Sequence, residues 1–391
     1  MSPAELKQVS MRIVNAALSA ADPGAAVRRN LAAAGQGFAV CGREYKPTGS
    51  LTLASVGKAA SGMADAALEI LGARVSRGIV VLPRGYPRTH HPGMDILEAG
   101  HPLPDERGRA AAERLSDLAA HLRENDILLL LLSGGGSSLL PLPYPPLSLA
   151  DKIESTNLLL RSGASIQEIN TVRKHLSAIK GGRLAAKTRG TIVTLAISDV
   201  VGDSPAFISS GPAVPDPSTF ADAAGVLARY GLLEKVPPAV RALIAEGVAG
   251  RIPETPKALP GRFTADVIAS SSIAVEAAAK EARQQGFPGI VLTTFLEGEA
   301  REAGRLMASV AREVRLHGRP APPPVCILAA GETTVAVKGS GKGGRNQEIA
   351  LAAAIELSGQ AGMILASFAT DGRDGNTEAA GGYASGETAA A

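Results

Sequence analysis

Six consecutive apolar residues, Ile127 to Leu132, end abruptly in Ser133-Gly134-Gly135-Gly136-Ser137-Ser138. The run is too short to span a membrane and about right for a strand buried on both faces. Three glycines leave the backbone free to take φ > 0, and no Cβ shields the N–H groups from a ligand. With hydroxyls on either side, such a loop can wrap an anion such as a phosphate or a carboxylate. Ligands of open parallel sheets bind at the carboxyl ends of strands. A plain tight turn would need only one glycine, so an anion site is the expectation.

Composition narrows the partners. At 391 residues the chain is long enough for two or more domains. It has no Trp and 3% aromatics, which argues against a base-stacking nucleic-acid surface or an aromatic sugar cleft. The net charge of +3 comes without a basic tail or patch, so no nucleic-acid partner is expected. Cys41 and Cys326 lie far apart without metal spacing, which suggests free thiols in a reducing cytoplasm. No signal segment opens the chain and no apolar run approaches ~18 residues, so no membrane partner is expected either.

Along the chain, apolar strands alternate with helices, and the strands end in Ser, Thr, Gly or Asp. A second helix is expected from Asp22 to Ala34. Lys58 follows a strand and stands at a helix start, a poor place for a cation unless it binds an anion. His90, His91 and His101 lack the spacing of a metal site. One helix is expected over 165–187, ended or bent at Gly181-Gly182. On it Asn170, Arg173 and Lys180 form either a solvated basic face or an active-site wall, Arg173 and Lys180 being a heptad apart. Asp199, two residues past the strand Thr191 to Ile197, is placed to hold a metal or accept a proton, or merely to make an Asx turn. Five prolines in 237–260 suggest a boundary, dividing the chain into 1–245 and 246–391. In the second part Glu332 and Asp371 stand at strand ends. The loop 338–348 offers four glycines, two lysines and Arg345 at the start of a helix, a second anion-site candidate. It is not a Walker A loop, because that pattern would demand Lys where Arg345 stands.

The sum is a parallel-rich α/β architecture whose loops bring Gly/Ser cradles, carboxylates and cations to sheet edges. Phosphoryl transfer needs that mixture, since its catalysis is mostly positioning and charge neutralisation. The segments SVGKA (55–59), LLLLSGGGSSLL (129–140), INTVRKHLSAIKGGRLA (169–185), ISDVVGD (197–203), SGP (210–212), AGET (330–333), GGRNQE (343–348) and ATDGRDG (369–375) resemble, in order and over nearly the whole chain, the class II glycerate kinases. That family is the glycerate 2-kinases, whose C-terminal part is called MOFRL. The resemblance implies ATP-dependent phosphorylation of glycerate to 2-phosphoglycerate; Mg²⁺ held by carboxylates is what phosphoryl transfer itself calls for. It implies a Rossmann-like N-terminal domain, a smaller α/β MOFRL-type domain and an active site in the cleft between them. It makes Lys58 and Arg345 active-site residues; Asp199, from its place just past a strand end, is expected at the reacting centre as Mg²⁺ ligand or base. Thr333 and Asn346, within its motifs, join the ligand-binding candidates, and Asp199 and Glu332 the Mg²⁺ candidates.

The family usually runs some tens of residues past TDGRDG, whereas this chain stops at Ala391, so terminal elements of the second domain are expected to be missing. Asn376-Thr377-Glu378 stands where the family tends to have Pro-Thr-Asp. Two other functions stay open. A hydroxypyruvate reductase would need a dinucleotide fingerprint, and from Gly134 that pattern meets Leu139 where glycine is required. A non-catalytic sensor of small organic acids would use the same cleft. A homodimer is compatible with the resemblance.

Overall fold

The apolar run forms the expected strand, and every one of its side chains is buried. A computed structural model describes residues 1–259, 262–337 and 339–389, which leaves Lys338 of the glycine-rich loop outside the described residues. Near the start, β1 (Leu31–Ala34), β2 (Gly37–Val40) and β3 (Arg43–Tyr45) make a small antiparallel sheet. The main sheet contains β4 (Leu51–Val56), β5 (Val75–Pro83), β6 (Met94–Ala99), β7 (Ile127–Leu132), β8 (Thr191–Ile197) and β9 (Phe263–Ala269), in the spatial order β6-β5-β4-β7-β8-β9. The pairings from β6 across to β8 are all parallel. The chain therefore winds outward from β4 in one direction, returns, and winds outward in the other. The reversal falls between β4 and β7, which run in register from Leu51 opposite Ile127 to Val56 opposite Leu132. Loops leaving adjacent strands at such a point diverge and open a crevice.

Burial explains why β7 is central. Leu128, Leu130 and Leu132 pack with Ala111, Ala112, Leu115 and Ala119 of the helix Glu106–Ala120. The alternate residues Leu129 and Leu131 point to the opposite face and are equally buried. The helix Ala60–Leu71 packs on β4, β5 and β7. Each fully buried leucine contributes about 1.5–3 kcal/mol relative to exposure, so a register slip of this strand is strongly disfavoured. A second core lies among the helices Leu149–Arg161, Ile166–His175, Phe220–Arg229 and Pro238–Val248, around Leu159, Val172 and Phe220.

The chain divides into two compact units, Pro23–Ile268 and Met1–Asp22 with Ala269–Ala391. This differs from the expected division at 245/246 at both ends. β9 belongs to the main sheet, so the first unit runs on past the proline-rich stretch. Ile13 and Ala17 of the first helix, Pro3–Ala21, pack with Ala274, Ala278 and Ala282 of the helix Ser271–Gln284. The second unit also holds the parallel pair β10 (Gly289–Glu299) and β11 (Cys326–Thr334) and the antiparallel pair β12 (Ile364–Phe368) and β13 (Gly381–Ser385).

Two expected helices are shorter than the sequence suggests. The helix beginning at Pro23 ends at Asn30, because Leu31 to Ala34 pair with Gly37 to Val40 across a turn at Gly35. The helix expected over 165–187 ends at His175. Ser177 forms a bridge to Pro143 and its Oγ accepts from the amides of Ile179 and Lys180, both at 3.4 Å. Arg173 and Lys180 are therefore not one helical face.

Candidate active site

The crevice between β4 and β7 is lined by the two loops that follow these strands. Lys58 N donates to Gly134 O at 2.8 Å, and Ser133 N to Val56 O at 2.9 Å, tying the loops together. The Ser133 hydroxyl accepts from Ala59 N at 3.1 Å. Lys58 and the Ser133–Ser138 loop are thus brought together.

The glycines are needed for a different reason from the one expected. Only Gly135 has a left-handed backbone, with φ +87°. At Gly134 a Cβ would overlap the Asp199 carboxylate, and at Gly136 the Ser209 hydroxyl. Asp199 is therefore seated directly on the loop, delivered by the turn after β8. The hydroxyls are not left for a ligand either: Ser138 Oγ donates to Gly135 O at 3.0 Å, and Ser137 Oγ shares a 2.7 Å hydrogen bond with Ser210 Oγ. What remains is backbone. The amides of Gly134, Gly135, Gly136 and Ser137 donate to no acceptor among the described residues. Buried or half-buried amides normally find partners, so four adjacent vacancies form a cradle for an anion.

Beside the loop lies a pocket of about 230 Å³, lined by His101, Gly135, Ser137, Ser138, Lys152, Arg173 and Lys180, with apolar walls. Lys152 and Lys180 are 6% and 2% exposed. Lys180 Nζ donates to Ser137 O at 3.0 Å and Ser209 O at 3.4 Å, and Lys152 Nζ to Leu142 O at 3.2 Å. Arg173 has no hydrogen-bond or ion-pair partner among the described residues, and none of the three cations meets a carboxylate there. Burial, reinforced by Arg173, pushes Lys152 down to about 7. Burial, then Lys152 and Arg173, pushes Lys180 well below its ordinary value. Burial likewise lowers Arg173. Asn170 does not line the pocket; it is buried behind it and accepts from Ser210 Oγ at 2.9 Å.

Two pocket residues went unassigned in the sequence. No motif or spacing in the sequence marks Lys152. His101 lies in a Pro/Gly-rich loop, yet its ring would come within 2.9 Å of a Cβ at Gly135. Burial and then the Lys58 charge lower its pKa against an opposing pull from Asp199.

The second unit holds the other candidates. Arg345 pairs with Glu332 and donates to Thr333 O at 3.3 Å. The helix it opens, Arg345–Glu356, does not present an empty N-terminus. The buried Asp374 carboxylate accepts from Asn346 N at 3.0 Å and Gln347 N at 2.8 Å, and from both of their side-chain amides at 3.1 Å. The second anion cradle expected from sequence is filled from within the chain, and Asn346 serves it. Asp371 is exposed and accepts from Arg373 N at 3.4 Å in an Asx turn. Among the described residues no group of three or more His, Cys, Asp or Glu is placed to hold a metal ion. No helix among them is long and apolar enough to cross a membrane.

Residues 9–245 match the model of a domain of unknown function, DUF4147, and residues 325–391 that of the MOFRL family. The chain is similar to a Pyrococcus horikoshii protein named glycerate 2-kinase, with 44% identity across 98% of this chain and 87% of that one. It is similar to the D-glycerate 2-kinase of Thermotoga maritima, with 44% identity across 99% of this chain and 88% of that one. A crystal structure of glycerate kinase from Thermotoga maritima superposes with a TM-score of 0.86 at 43% identity, covering 99% of this chain and 89% of that one. The chain belongs to the glycerate kinase family in which a DUF4147 segment is followed by a MOFRL segment.

Proposed function

We propose that the protein is a glycerate 2-kinase, moving the γ-phosphoryl group of ATP to the C2 hydroxyl of glycerate to give ADP and 2-phosphoglycerate. The observation that carries this reading is the crevice itself: four amides without acceptors among the described residues, Lys58 and Asp199 at one loop, beside a small pocket of cations that no described carboxylate faces. Amides and a cation aimed at one point stabilise charge on phosphoryl oxygens, and they need no reorganisation as the reaction proceeds. The Gly134–Ser137 amides hold the anionic group, and Lys58 neutralises it. Asp199 is the carboxylate at the reacting centre, taking the C2 hydroxyl proton or orienting the hydroxyl. Arg345 is the second proposed cation, with Glu332 as the partner it exchanges for phosphate; Thr333 positions it through its carbonyl oxygen.

Mg²⁺ fits this site only in one way. It binds through one or two carboxylates plus substrate phosphates rather than in a protein cage, and Asp199 brings one carboxylate to the loop. Asp199 would hold it, and the ion would neutralise phosphate charge. Glu332 could take part only by leaving Arg345. The free thiols of Cys41 and Cys326 accord with a cytoplasmic setting.

The test is a turnover assay with MgATP and D- or L-glycerate, with the product's phosphate position read by ³¹P NMR. ADP formed one-for-one with 2-phosphoglycerate is the expected result. Oxidation of NADH or NADPH by hydroxypyruvate without ATP would replace the kinase with a reductase, and glycerate binding without either reaction would make the protein a sensor.

A further inference from the structure

The pocket beside the loop has a feature that phosphoryl transfer alone does not require. Two of its three cations are almost wholly buried, and no carboxylate faces any of them among the described residues. An unpaired buried ammonium is costly, and folds usually pair it or discharge it. At about 230 Å³ the pocket falls below the ~300–1,000 Å³ typical of ligand sites, too small for a nucleotide. Arg173 offers a planar fork suited to bidentate contact with a carboxylate. Leu149, Ile153 and Leu160 close the apolar side, so the charged end of a ligand is directed to the cations. Gly135, Ser137 and Ser138 belong to both pocket and loop, so an acid anchored here has its adjacent carbon beside the loop.

We infer that this pocket is the carboxylate subsite for the acceptor, and that Lys152 is the residue that restricts the acceptor to small 2-hydroxy acids. The inference rests on the kinase reading for the identity of the acid, though not for the existence of the subsite. Nucleotide phosphates lie outside the pocket. Lys152 and Arg173 hold the acid's carboxylate, while Lys180 braces the loop through the Ser137 carbonyl. An alcohol lacking the carboxylate finds uncompensated cations and is rejected.

Isothermal titration of the full chain without turnover tests this, using D-glycerate, glycerol and a non-hydrolysable ATP analogue. Wild type should bind glycerate and not glycerol. Lys152→Met keeps length and removes charge. It should weaken glycerate about 10- to 100-fold, the usual worth of a hydrogen bond to a charged group, and leave the nucleotide analogue unchanged. Equal glycerate affinity in Lys152→Met, or loss confined to the nucleotide, would overturn the inference. If Lys152→Met does not fold by circular dichroism, Arg173→Gln at the half-buried side of the pocket is judged by the same two results. Lysine-dependent glycerate binding in a protein that transfers no phosphate would retain the subsite and refute the kinase.

Discussion

Two glycine-rich loops follow strands in this chain, and they have opposite fates. Among the described residues, the loop 133–138 keeps four amides without acceptors and stands beside cations without carboxylates. The loop 339–346 leads into a helix whose first amides are taken by Asp374, while Arg345 is taken by Glu332. Local composition does not distinguish them. What differs is whether a carboxylate distant in sequence arrives to fill the space. Asp374 does so for Asn346 from 28 residues away. Asp199 comes close to Gly134 but packs against its Cα side, leaving the amides vacant. Unsatisfied donors mark a site for something the chain does not itself supply.

Charge removal in the first loop should have the largest effect. Asp199→Asn should lower kcat about 10²–10⁴-fold, the range for a lost general base, and Lys58→Ala about 10²–10³-fold, as for a lost oxyanion donor. Steady-state kinetics with far-ultraviolet circular dichroism as a folding control decide it. A folded variant within threefold of wild type removes that residue from the chemistry.

In the second unit the expected effect is on stability. Asp374→Ala strips the acceptor from four donors in a 1%-exposed position. Leaving such donors unmet costs about 1–3 kcal/mol, which lowers the melting temperature by roughly 5 °C. A melting temperature equal to wild type would mean that Asp374 is not what fills this loop.

Lys152 gives a smaller, pH-dependent effect in the ligand-free protein. Its ordinary value is near 10.4 and its folded value about 7. Between those limits the unfolded chain binds more protons, so the lysine's contribution makes folding more favourable as pH rises. Urea midpoints at pH 7 and pH 9 should therefore climb more in wild type than in Lys152→Met. An identical climb in both would place Lys152 in water.

Much of this was legible in advance, because periodicity and strand endings are local. The buried run Ile127 to Leu132, the loop after it and the positions of Lys58 and Asp199 follow from composition along short windows. Long-range packing was not legible. Lys152 looks like any lysine on an amphipathic helix until that helix covers the pocket. Arg173 and Lys180 were paired by a helical spacing that does not exist, since Ser177 turns the chain after His175. They nonetheless line the same pocket, brought there by that turn. In the sequence the three glycines suggest dihedral freedom and open N–H groups, whereas two of them make room for Asp199 and Ser209, partners invisible from the loop alone.

The most direct measurement sets one glycine against another. A Cβ at Gly134 would strike the Asp199 carboxylate, whereas one at Gly341 meets nothing within 4 Å. Both substitutions to alanine should fold, since a surface change such as Gly341→Ala is usually worth no more than ~0.5 kcal/mol and the Asp199 side chain can move aside. Steady-state turnover with MgATP and glycerate should fall at least ~100-fold in Gly134→Ala, where Asp199 and the amides are displaced together, and stay at the wild-type value in Gly341→Ala. Equal turnover in the two folded variants would contradict the assignment of the reaction to the loop after β7.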